Sequence, residues 1–460
     1  MRSFFLLFVL KRRFCRCLCD NPMRNSKTLY GFGAALILLA LSIWMAPRVL
    51  SFTSKGASEP SVFVAPTPKQ TVAVHVIFPS GPSAPGLSHY AEHLAWLNTV
   101  GRGDRTASLH SNAWASDRAT GYWLSGPPDD LPKILRTLSG LFNPIDLASV
   151  FAEQERNIIL REYNLRIAGN ADALASEAMR AFLYDGNSLA ISVIATPEKI
   201  MAIEYADARN FHETTHTPDK ATLVVTGDVT QRQVRQALRD VDWPDGNTAK
   251  PDIAPEPFDL AEPAEAAFEY PDANAAPRLL WRRVVALPEP IPYDLLEAHT
   301  ALLRDILDTN QPGGLAGPLR FDAAIARNFG IHIWPIDEDN IKVSFTASPG
   351  TGVLLTDLRA AFETTLAQIA TDGIPQETFT RVHTRFENFW PEWDDEDQAT
   401  RWMAEYVLNR ASELRVPASE RAVKSLYDDL SFETTNALLQ RIAGEGRTAI
   451  AFIGPEVTFQ

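Results

Sequence analysis

Apolar side chains follow two different spacings at the start of the folded chain. Residues 71–78 alternate apolar and other side chains, a period of two that predicts a β-strand with one buried face. In residues 83–97 one apolar face repeats at i, i+4 and i+7 through Leu87, Ala91 and Leu94, which predicts an α-helix. A strand followed at once by a helix therefore opens the first predicted domain.

The same order of elements returns in the second half of the chain. Neither half has a continuous βαβ rhythm or a phosphate-binding glycine loop, so we predict an α+β fold of two homologous domains, each a mainly antiparallel sheet flanked by helices. The corresponding segments are strands at 71–78 and 279–287, helices at 83–97 and 293–307, helices at 131–141 and 354–369, the helices after Asn143-Pro144-Ile145 and Gly373-Ile374-Pro375, and strands at 222–227 and 448–454.

The first fifty residues differ in composition from the rest. Residues 1–28 form a basic tail, and residues 29–50 are apolar apart from Pro47 and Arg48, a run long enough to cross a bilayer as one transmembrane helix. The flanking positive charge predicts a cytoplasmic N-terminus and a body on the non-cytoplasmic side, facing the periplasm if the protein is bacterial. A cleaved signal peptide that starts at Met23 is the alternative.

Two segments without apolar periodicity are predicted to be linkers. Residues 51–68 are rich in Ser, Pro and Ala, and residues 242–264 contain five Pro. They delimit an N-terminal domain at 69–241 and a C-terminal domain at 265–460.

Charge and cysteine content exclude several classes of function. The chain of 460 residues has a net charge of −14, although its first fifty residues are strongly basic. An acidic body argues against nucleic acid as a partner. Cys15, Cys17 and Cys19 all lie in the basic tail, so the body has no disulfide framework and no cysteine-ligated zinc site.

The predicted helix at 83–97 carries the pattern H-x-x-E-H through His89, Glu92 and His93. Four residues make little more than one helical turn, so both imidazoles point the same way, and Glu92 lies beside them. Two imidazoles that bind metal and a carboxylate that activates water are the elements of metal-assisted hydrolysis. A catalytic zinc site needs a third protein ligand as well.

A pair of glutamates on the helix predicted at 146–167 offers that ligand. Glu155 and Glu162 are seven residues apart, which places them on one helix face. Taken alone they fit a solvated stripe, since Arg156 and Arg161 are close by. Together with H-x-x-E-H they fit a third ligand and a carboxylate that holds an imidazole.

A second histidine pattern competes with the first. Residues 212–216 read H-E-x-x-H, with histidines at 212 and 216 and Glu213 between them, but Pro218 ends that helix directly after the second histidine. No glutamate follows before residue 256 to complete the site, so we interpret this motif as a decoy. His75, on the predicted strand at 71–78, is interpreted as an ordinary strand histidine.

Two short strands are predicted after the metal helix, at 111–115 and 121–125. Asn112 and Ala113 lie on the first of them. An edge strand beside a metal site can pair its backbone with an extended peptide, so these two residues are candidates for substrate binding.

The chain resembles the insulinase-like (pitrilysin-type) zinc metallopeptidases, of the short class that includes the mitochondrial processing peptidase. The resemblance covers about Thr71 to Pro455 and is carried by GLSHYAEHL, SNAWASDRATGYW, FAEQERNIILRE and HTPDKATLVVTGDV. It implies one zinc per chain, a base, a supporting carboxylate and a substrate-pairing strand. The residues at these positions are His89, His93 and Glu162 for zinc, Glu92 for the base, Glu155 for the supporting carboxylate, and Asn112 and Ala113 for the strand.

One part of the family pattern is absent. Many members carry an Arg and a Tyr in the second domain that bind substrate, and an ungapped alignment places Ala324 and Ile331 there. A shifted alignment recruits Arg320 but puts Phe329 in place of the Tyr. The departure implies a homologous partner subunit that supplies the pair, with a homodimer as the alternative.

Together these features predict a membrane-anchored zinc endopeptidase that hydrolyses extended peptides with metal-activated water. The alternative is a non-catalytic scaffold or peptide-binding subunit of the same fold.

Overall fold

The computed structural model describes residues 50–53, 59–80, 85–101, 109–243, 258–389 and 396–455. The predicted basic tail, residues 29–49 of the predicted anchor, and residues 244–257 of the predicted interdomain linker lie outside these ranges.

The N-terminal half of the described chain forms a six-stranded sheet in the order β1-β2-β6-β3-β5-β4. Strands β2 and β6 are parallel and the other neighbours are antiparallel. The strand predicted by the alternating pattern is β3, in the interior of the sheet. The strands are β1 (Leu50–Thr53), β2 (Ser61–Pro66), β3 (Val72–Pro79), β4 (His110–Ala115), β5 (Ala119–Gly126) and β6 (Thr222–Gly227).

The C-terminal half of the described chain repeats this arrangement in five strands, ordered β7-β11-β8-β10-β9. The parallel pair β7 and β11 corresponds to β2 and β6, and the edge strand β9 corresponds to β4. The internal repeat predicted from the sequence is therefore visible in the topology, and each sheet is mixed. The strands are β7 (Glu265–Pro271), β8 (Arg278–Ala286), β9 (Ala326–Pro335), β10 (Asn340–Pro349) and β11 (Arg447–Gly454).

Helices flank both sheets. The predicted helix at 293–307 has the observed bounds, whereas the one predicted at 146–167 is α-helical only over Ser149–Tyr163 and continues as a π-helical turn at Asn164–Ala168. In the described residues the α-helices are α1 (Leu87–Val100), α2 (Leu131–Leu138), α3 (Ser149–Tyr163), α4 (Ala171–Leu183), α5 (Pro197–Ala202), α6 (Tyr205–Thr215), α7 (Gln231–Arg239), α8 (Tyr293–Leu307), α9 (Leu355–Asp372), α10 (Gln376–Phe389), α11 (Glu396–Ser412), α12 (Glu420–Asp428) and α13 (Phe432–Ala443).

Each sheet has its main core on one face. In the first domain Val74 and Val76 of β3 pack with Leu94 of α1, so the apolar face that predicted this helix is the one that is buried. In the second domain the rings of Phe345 and Phe362 stack at 3.8 Å between centroids. Burial of aliphatic and aromatic side chains at this density is the main stabilising term for both domains.

The opposite face of each sheet is covered by a helix from the other domain. Ala175, Met179 and Leu183 of α4 pack on β8 and β11 of the second sheet. In return, Val407 and Ala411 of α11 pack on β2 and β6 of the first sheet. The two domains are therefore interlocked by an exchange of helices.

Polar contacts accompany the exchange. The carboxylate of Asp172 on α4 accepts from Arg278 of β8 at 2.6 Å, and Arg282 donates to the hydroxyl of Ser176 at 2.8 Å. Arg447 of β11 donates to the carbonyl of Phe182 at 2.7 Å. These hydrogen bonds fix the position of α4 on the sheet of the second domain.

The predicted membrane localisation is corrected by the structure. No helix of the described residues is long and apolar enough to cross a bilayer, which contradicts the expectation of a single-pass membrane protein. Leu50, the last residue of the predicted anchor, begins strand β1. The linker predicted at 51–68 is also wrong in part, because Ser61–Pro66 is a strand that pairs with β6 inside the sheet.

Candidate metal centre

Helix α1 presents His89, Glu92 and His93 at one position in the fold. The helix starts directly after Gly86, whose φ of 83° is in the left-handed region that favours glycine. A Cβ at this position would lie 3.0 Å from the Cβ of Ala195, so the start of α1 needs glycine for space as well as for conformation. The imidazole rings of the two histidines then lie 4.9 Å apart, and all three side chains are largely buried.

Helix α3 brings two carboxylates to the same place. Glu162 Oε2 lies 3.6 Å from His89 Nε2, and Glu162 Oε1 lies 3.9 Å from His93 Nε2. One face of α3 also carries Glu155, whose Oε2 lies 3.1 Å from His93 Nδ1. The structure thus gathers all five predicted metal-site residues in one cluster, and each imidazole turns its Nε2 toward Glu162.

This donor set fits a zinc ion. Two imidazole nitrogens and one carboxylate are a ligand combination of catalytic zinc sites, which keep a further position open. Glu162 Oε2 is buried and has no hydrogen-bond partner, and its ion-pair partner is the guanidinium of Arg166 at 3.4 Å. Donor atoms of His89, Glu92 and His93 lie within 4.8 Å of one another, and the described residues contain no other such group of histidine, cysteine or acidic side chains.

The pKa values at this cluster depart strongly from their ordinary values. Burial raises the pKa of Glu92 to about 7, with the charge of His93 opposing the rise. Burial and the neighbouring His93 lower the pKa of His89 to about 3. For His93, burial lowers the pKa, but the hydrogen bond with Glu155 and the carboxylates around it outweigh burial, and the pKa is raised. Opposed shifts of this kind in a cleft are typical of functional sites.

The cluster lies at the floor of a cavity of about 560 Å³ between α1, α3 and the edge strand β4. Asn112 is exposed and Ala113 is half-buried, and both line this cavity. Because β4 is the last strand of its sheet, its outer backbone groups face the open side. The open edge of β4 can therefore pair with an extended peptide.

The H-E-x-x-H motif of α6 has a structural role. His216 shares hydrogen bonds of 2.8 Å with the hydroxyls of Tyr122 and Thr215 through its two ring nitrogens. His212 Nε2 donates to the carbonyl of Leu141 at 2.9 Å, while Glu213 is exposed. The motif holds α6 against the core, in agreement with its interpretation as a decoy.

His75 does not belong to the metal cluster. It lies on the opposite face of β3 from Val74 and Val76, beside the ring of Trp123 at 5.9 Å. Burial lowers its pKa to about 4. Its surroundings are those of an ordinary strand histidine.

The positions that depart from the family pattern offer no polar side chain. Ile331 is buried in β9, and Ala324 has a φ of 52° in the turn before that strand. Arg320 donates to Asn310 Oδ1 at 3.1 Å and lines a separate cavity of about 270 Å³. Within the described residues, none of the three lines the cavity beside α1.

Sequence reasoning missed some residues of this cavity. Arg166 Nη2 lies 3.4 Å from Glu162 Oε2, and Val193 and Ile194 form part of the wall. Arg166 had a detectable signal, because it is four residues beyond Glu162 on the same helical run. Val193 and Ile194 had none, since their loop reaches the site only through the tertiary fold.

Comparisons with known proteins agree with this geometry. A family model described as "Insulinase (Peptidase family M16)" matches residues 62–197, which include the whole cluster. A second model, "Peptidase M16 inactive domain", matches residues 202–386.

Curated relatives match over part of the chain. The mitochondrial-processing peptidase subunit beta of Lentinula edodes is 27% identical over 172 residues, which are 35% of this chain and 37% of that subunit. Subunit 1 of the mitochondrial cytochrome b-c1 complex of Homo sapiens is 25% identical over 202 residues, 42% of each chain. The matched segment spans less than half the length of each relative.

Solved structures share the fold over most of the chain. A protease from Helicobacter pylori superposes with a TM-score of 0.70 at 16% identity and covers 89% of this chain and 100% of its own. The periplasmic protease PqqL from Escherichia coli has a TM-score of 0.73 at 14% identity and covers 89% of this chain and 48% of its own.

Proposed function

The chain belongs to the insulinase-like peptidase family M16, and from that membership we propose that it is a zinc-dependent endopeptidase that hydrolyses extended peptides. The observation that carries the proposal is the convergence of His89, His93 and Glu162 on one point beside Glu92. His89 and His93 come from α1, and Glu162 comes from α3, which is far from α1 in sequence.

His89, His93 and Glu162 would hold one zinc per chain. When bound there, zinc supplies Lewis-acid chemistry, polarising a peptide carbonyl and lowering the pKa of water. Glu155 positions His93 by accepting a hydrogen bond from its Nδ1–H group, which leaves Nε2 free to bind metal. His89 is held neutral by its lowered pKa, the form in which imidazole is a ligand.

Glu92 is the proposed general base. Its carboxylate is buried beside His93 Nε2 at 4.0 Å, and its pKa of about 7 lies near neutral pH, where a proton-transfer group works in both directions. It takes a proton from the attacking water and returns it to the amine nitrogen that leaves the cleaved peptide bond.

Strand β4 is the proposed binding edge for the substrate. An extended peptide that adds to this edge is held by main-chain hydrogen bonds, and the amide of Asn112 can bond its backbone. Such binding places peptide carbonyls in the cavity above Glu92, and it favours unfolded or flexible segments over folded domains.

The substitution Glu92→Gln tests the proposal. The amide accepts no proton, so turnover of a peptide library should fall by about two to four orders of magnitude while zinc content and peptide binding persist. Glu213→Gln is the matched control, the same change in the exposed glutamate of the second motif, and it should keep full turnover. Near-normal turnover in the first variant would remove Glu92 from the mechanism.

The second candidate function is a non-catalytic scaffold or peptide-binding subunit. The observation that favours it is the absence of the family Arg and Tyr from the positions of Ala324 and Ile331. Purified chain that binds zinc and peptide but cleaves no member of a peptide library, alone or with a homologous chain, would establish this function instead.

The same absence supports a heterodimer with a homologous subunit. Preorganised donors that stabilise the developing oxyanion contribute strongly to peptide hydrolysis, and Ala324 and Ile331 offer none. A homologous chain that retains the Arg and Tyr would supply them from its own second domain. Addition of such a chain should raise peptide turnover, and full activity of this chain as a monomer or homodimer would contradict the heterodimer.

A further inference from the structure

A second cavity, of about 420 Å³, lies where the edge strands of the two sheets end. Trp114 is the penultimate residue of β4, and Trp334 is the penultimate residue of the equivalent strand β9. Both indoles line the cavity. The turns after the two strands touch, because Arg118 donates to the carbonyl of Ile336 at 2.6 Å.

The cavity contains cations that lack an anionic partner. Lys342 Nζ lies 5.3 Å from the ring centre of Trp334 and 5.8 Å from that of Tyr184, so aromatic faces surround its ammonium group. Neither Lys342 nor Arg118 forms an ion pair with any carboxylate of the described residues. Both therefore present positive charge to the cavity.

The carboxylates that line the same cavity are already paired with other arginines. Asp117 Oδ2 is 2.9 Å from Arg180 Nη1, and Glu413 Oε2 is 3.4 Å from Arg410 Nη1. Burial, together with Arg282 and Arg180, lowers the pKa of Lys342 to about 8, and the charge of Asp117 offsets this only in part. A half-buried positive charge beside other cations gains free energy from an incoming carboxylate.

The position of the cavity connects it to the metal centre. Trp114 lines both cavities. Its indole is packed directly over Gly121, where any Cβ would overlap the ring. Strand β4 ends at Ala115 and the turn that follows it carries Arg118, so a peptide paired with β4 and extended beyond Ala115 leaves the metal cavity at the end of the sheet where the second cavity lies.

We propose that this cavity binds a carboxylate of the peptide substrate through Lys342 and Arg118. The assignment rests on the proposed endopeptidase function. The carboxylate belongs either to an Asp or Glu side chain on one side of the cleaved bond or to the C-terminus of a short peptide. The enzyme thereby prefers peptides with an anionic group on one side of the cleavage position.

Peptide pairs that differ in one charge test the proposal. Each pair has one sequence with either Glu or Gln at a scanned position, or either a free acid or an amide at the C-terminus. Dissociation constants are measured by fluorescence anisotropy on the full-length Glu92→Gln chain. The anionic member of one pair should bind about tenfold more tightly, the ratio that one charge-assisted hydrogen bond supports. The pair that shows the preference identifies the source of the carboxylate.

Three lysine variants assign the preference to this cavity. Lys342→Met should abolish it, Lys342→Arg should retain it, and Lys424→Met, which removes a charge from an exposed lysine of the same domain, should leave it unchanged. Equal affinities within every pair, or a preference that survives in Lys342→Met, would overturn the proposal while leaving the endopeptidase function intact.

Two further outcomes separate the proposals. A preference that Lys342→Met abolishes, in a chain whose wild-type form cleaves nothing, would support the anion site and refute the endopeptidase function. Absence of binding for every peptide would refute both.

Discussion

The interaction between His93 and Glu155 links the metal cluster to the rest of α3. The carboxylate lies 3.1 Å from Nδ1 and is itself largely buried, so it fixes the orientation of the ring as well as its tautomer. Carboxylates in this position raise the basicity of the other ring nitrogen.

Substitution of Glu155 should therefore weaken metal binding without removing a ligand. We expect Glu155→Ala to lower zinc affinity by about 10- to 100-fold, measured by competition with a chromogenic chelator. Glu153→Ala, two residues away and exposed, is the control and should bind zinc normally. An unchanged affinity in Glu155→Ala would mean that His93 is oriented by its packing alone.

The second histidine motif should affect stability and leave metal binding intact. His216→Ala removes two buried hydrogen bonds, leaves the hydroxyl of Tyr122 without its partner and opens a cavity, so the free energy of unfolding should fall by about 2–4 kcal/mol. Urea denaturation measures the change. Zinc content per folded chain, determined by metal analysis, should stay at the wild-type value, and a loss of zinc would place the metal at α6.

The residues of the metal cluster could be predicted because their geometry is mostly local. Helical spacing places His89 and His93 together, and the same rule pairs Glu155 with Glu162, so only one long-range step was needed. Trp114 and Trp334 line one cavity because of the way the two domains meet. No local spacing in the sequence encodes that meeting, so the sequence alone did not reveal the cation-lined cavity.

At the scale of elements, the start of α1 determines where the metal ligands lie. Gly86 combines a positive φ with close contact to Ala195. A side chain there would strain the backbone and push the first turn of the helix, which carries His89.

We expect Gly86→Ala to destabilise the protein by about 1–2 kcal/mol from the left-handed conformation plus a further steric cost. Gly186→Ala is a matched control, because Gly186 has the same φ of 83° and no atom within 4 Å of the position that a Cβ would occupy. The difference in free energy of unfolding between the variants, from urea denaturation, measures the steric part. Equal destabilisation by Gly86→Ala and Gly186→Ala would show that the loop at Ala195 moves aside without a cost in free energy.

Elements with a short sequence pattern, or with a packing partner that is distant in sequence, could not be predicted. The sequence of β2 predicts a linker, because serines and prolines flank a strand of only six residues, and the place of β2 beside β6 comes from tertiary pairing. Helices α4 and α11 each have an apolar face that packs on the sheet of the other domain. A period of 3.6 residues predicts a buried face but does not identify what buries it.

At the scale of the whole molecule, the helix exchange makes each domain part of the other's core. Val407 of α11 is fully buried among Phe63, Ile77 and Val224 of the first sheet. A substitution that destabilises α11 should therefore also destabilise the domain that carries the metal cluster.

Val407→Asp tests this coupling. Burial of an unpaired carboxylate should lower the free energy of unfolding by about 3 kcal/mol or more. Hydrogen exchange of β2 and β6 should rise in the variant, although both strands belong to the other domain. Val416→Asp, at a position 80% exposed, serves as the control and should change little. Protection of β2 and β6 that is unchanged in Val407→Asp would contradict the coupling.

The exchanged helices also restrict how the molecule can move. A hinge that parted the two domains would have to pull α4 from the second sheet and α11 from the first at the same time, exposing two apolar faces to water. Rigid-body opening within one chain is therefore disfavoured. Peptides must therefore enter and leave the cavity beside β4 without a hinge motion between the two domains. A partner bound over the open side of that cavity would then control the turnover rate.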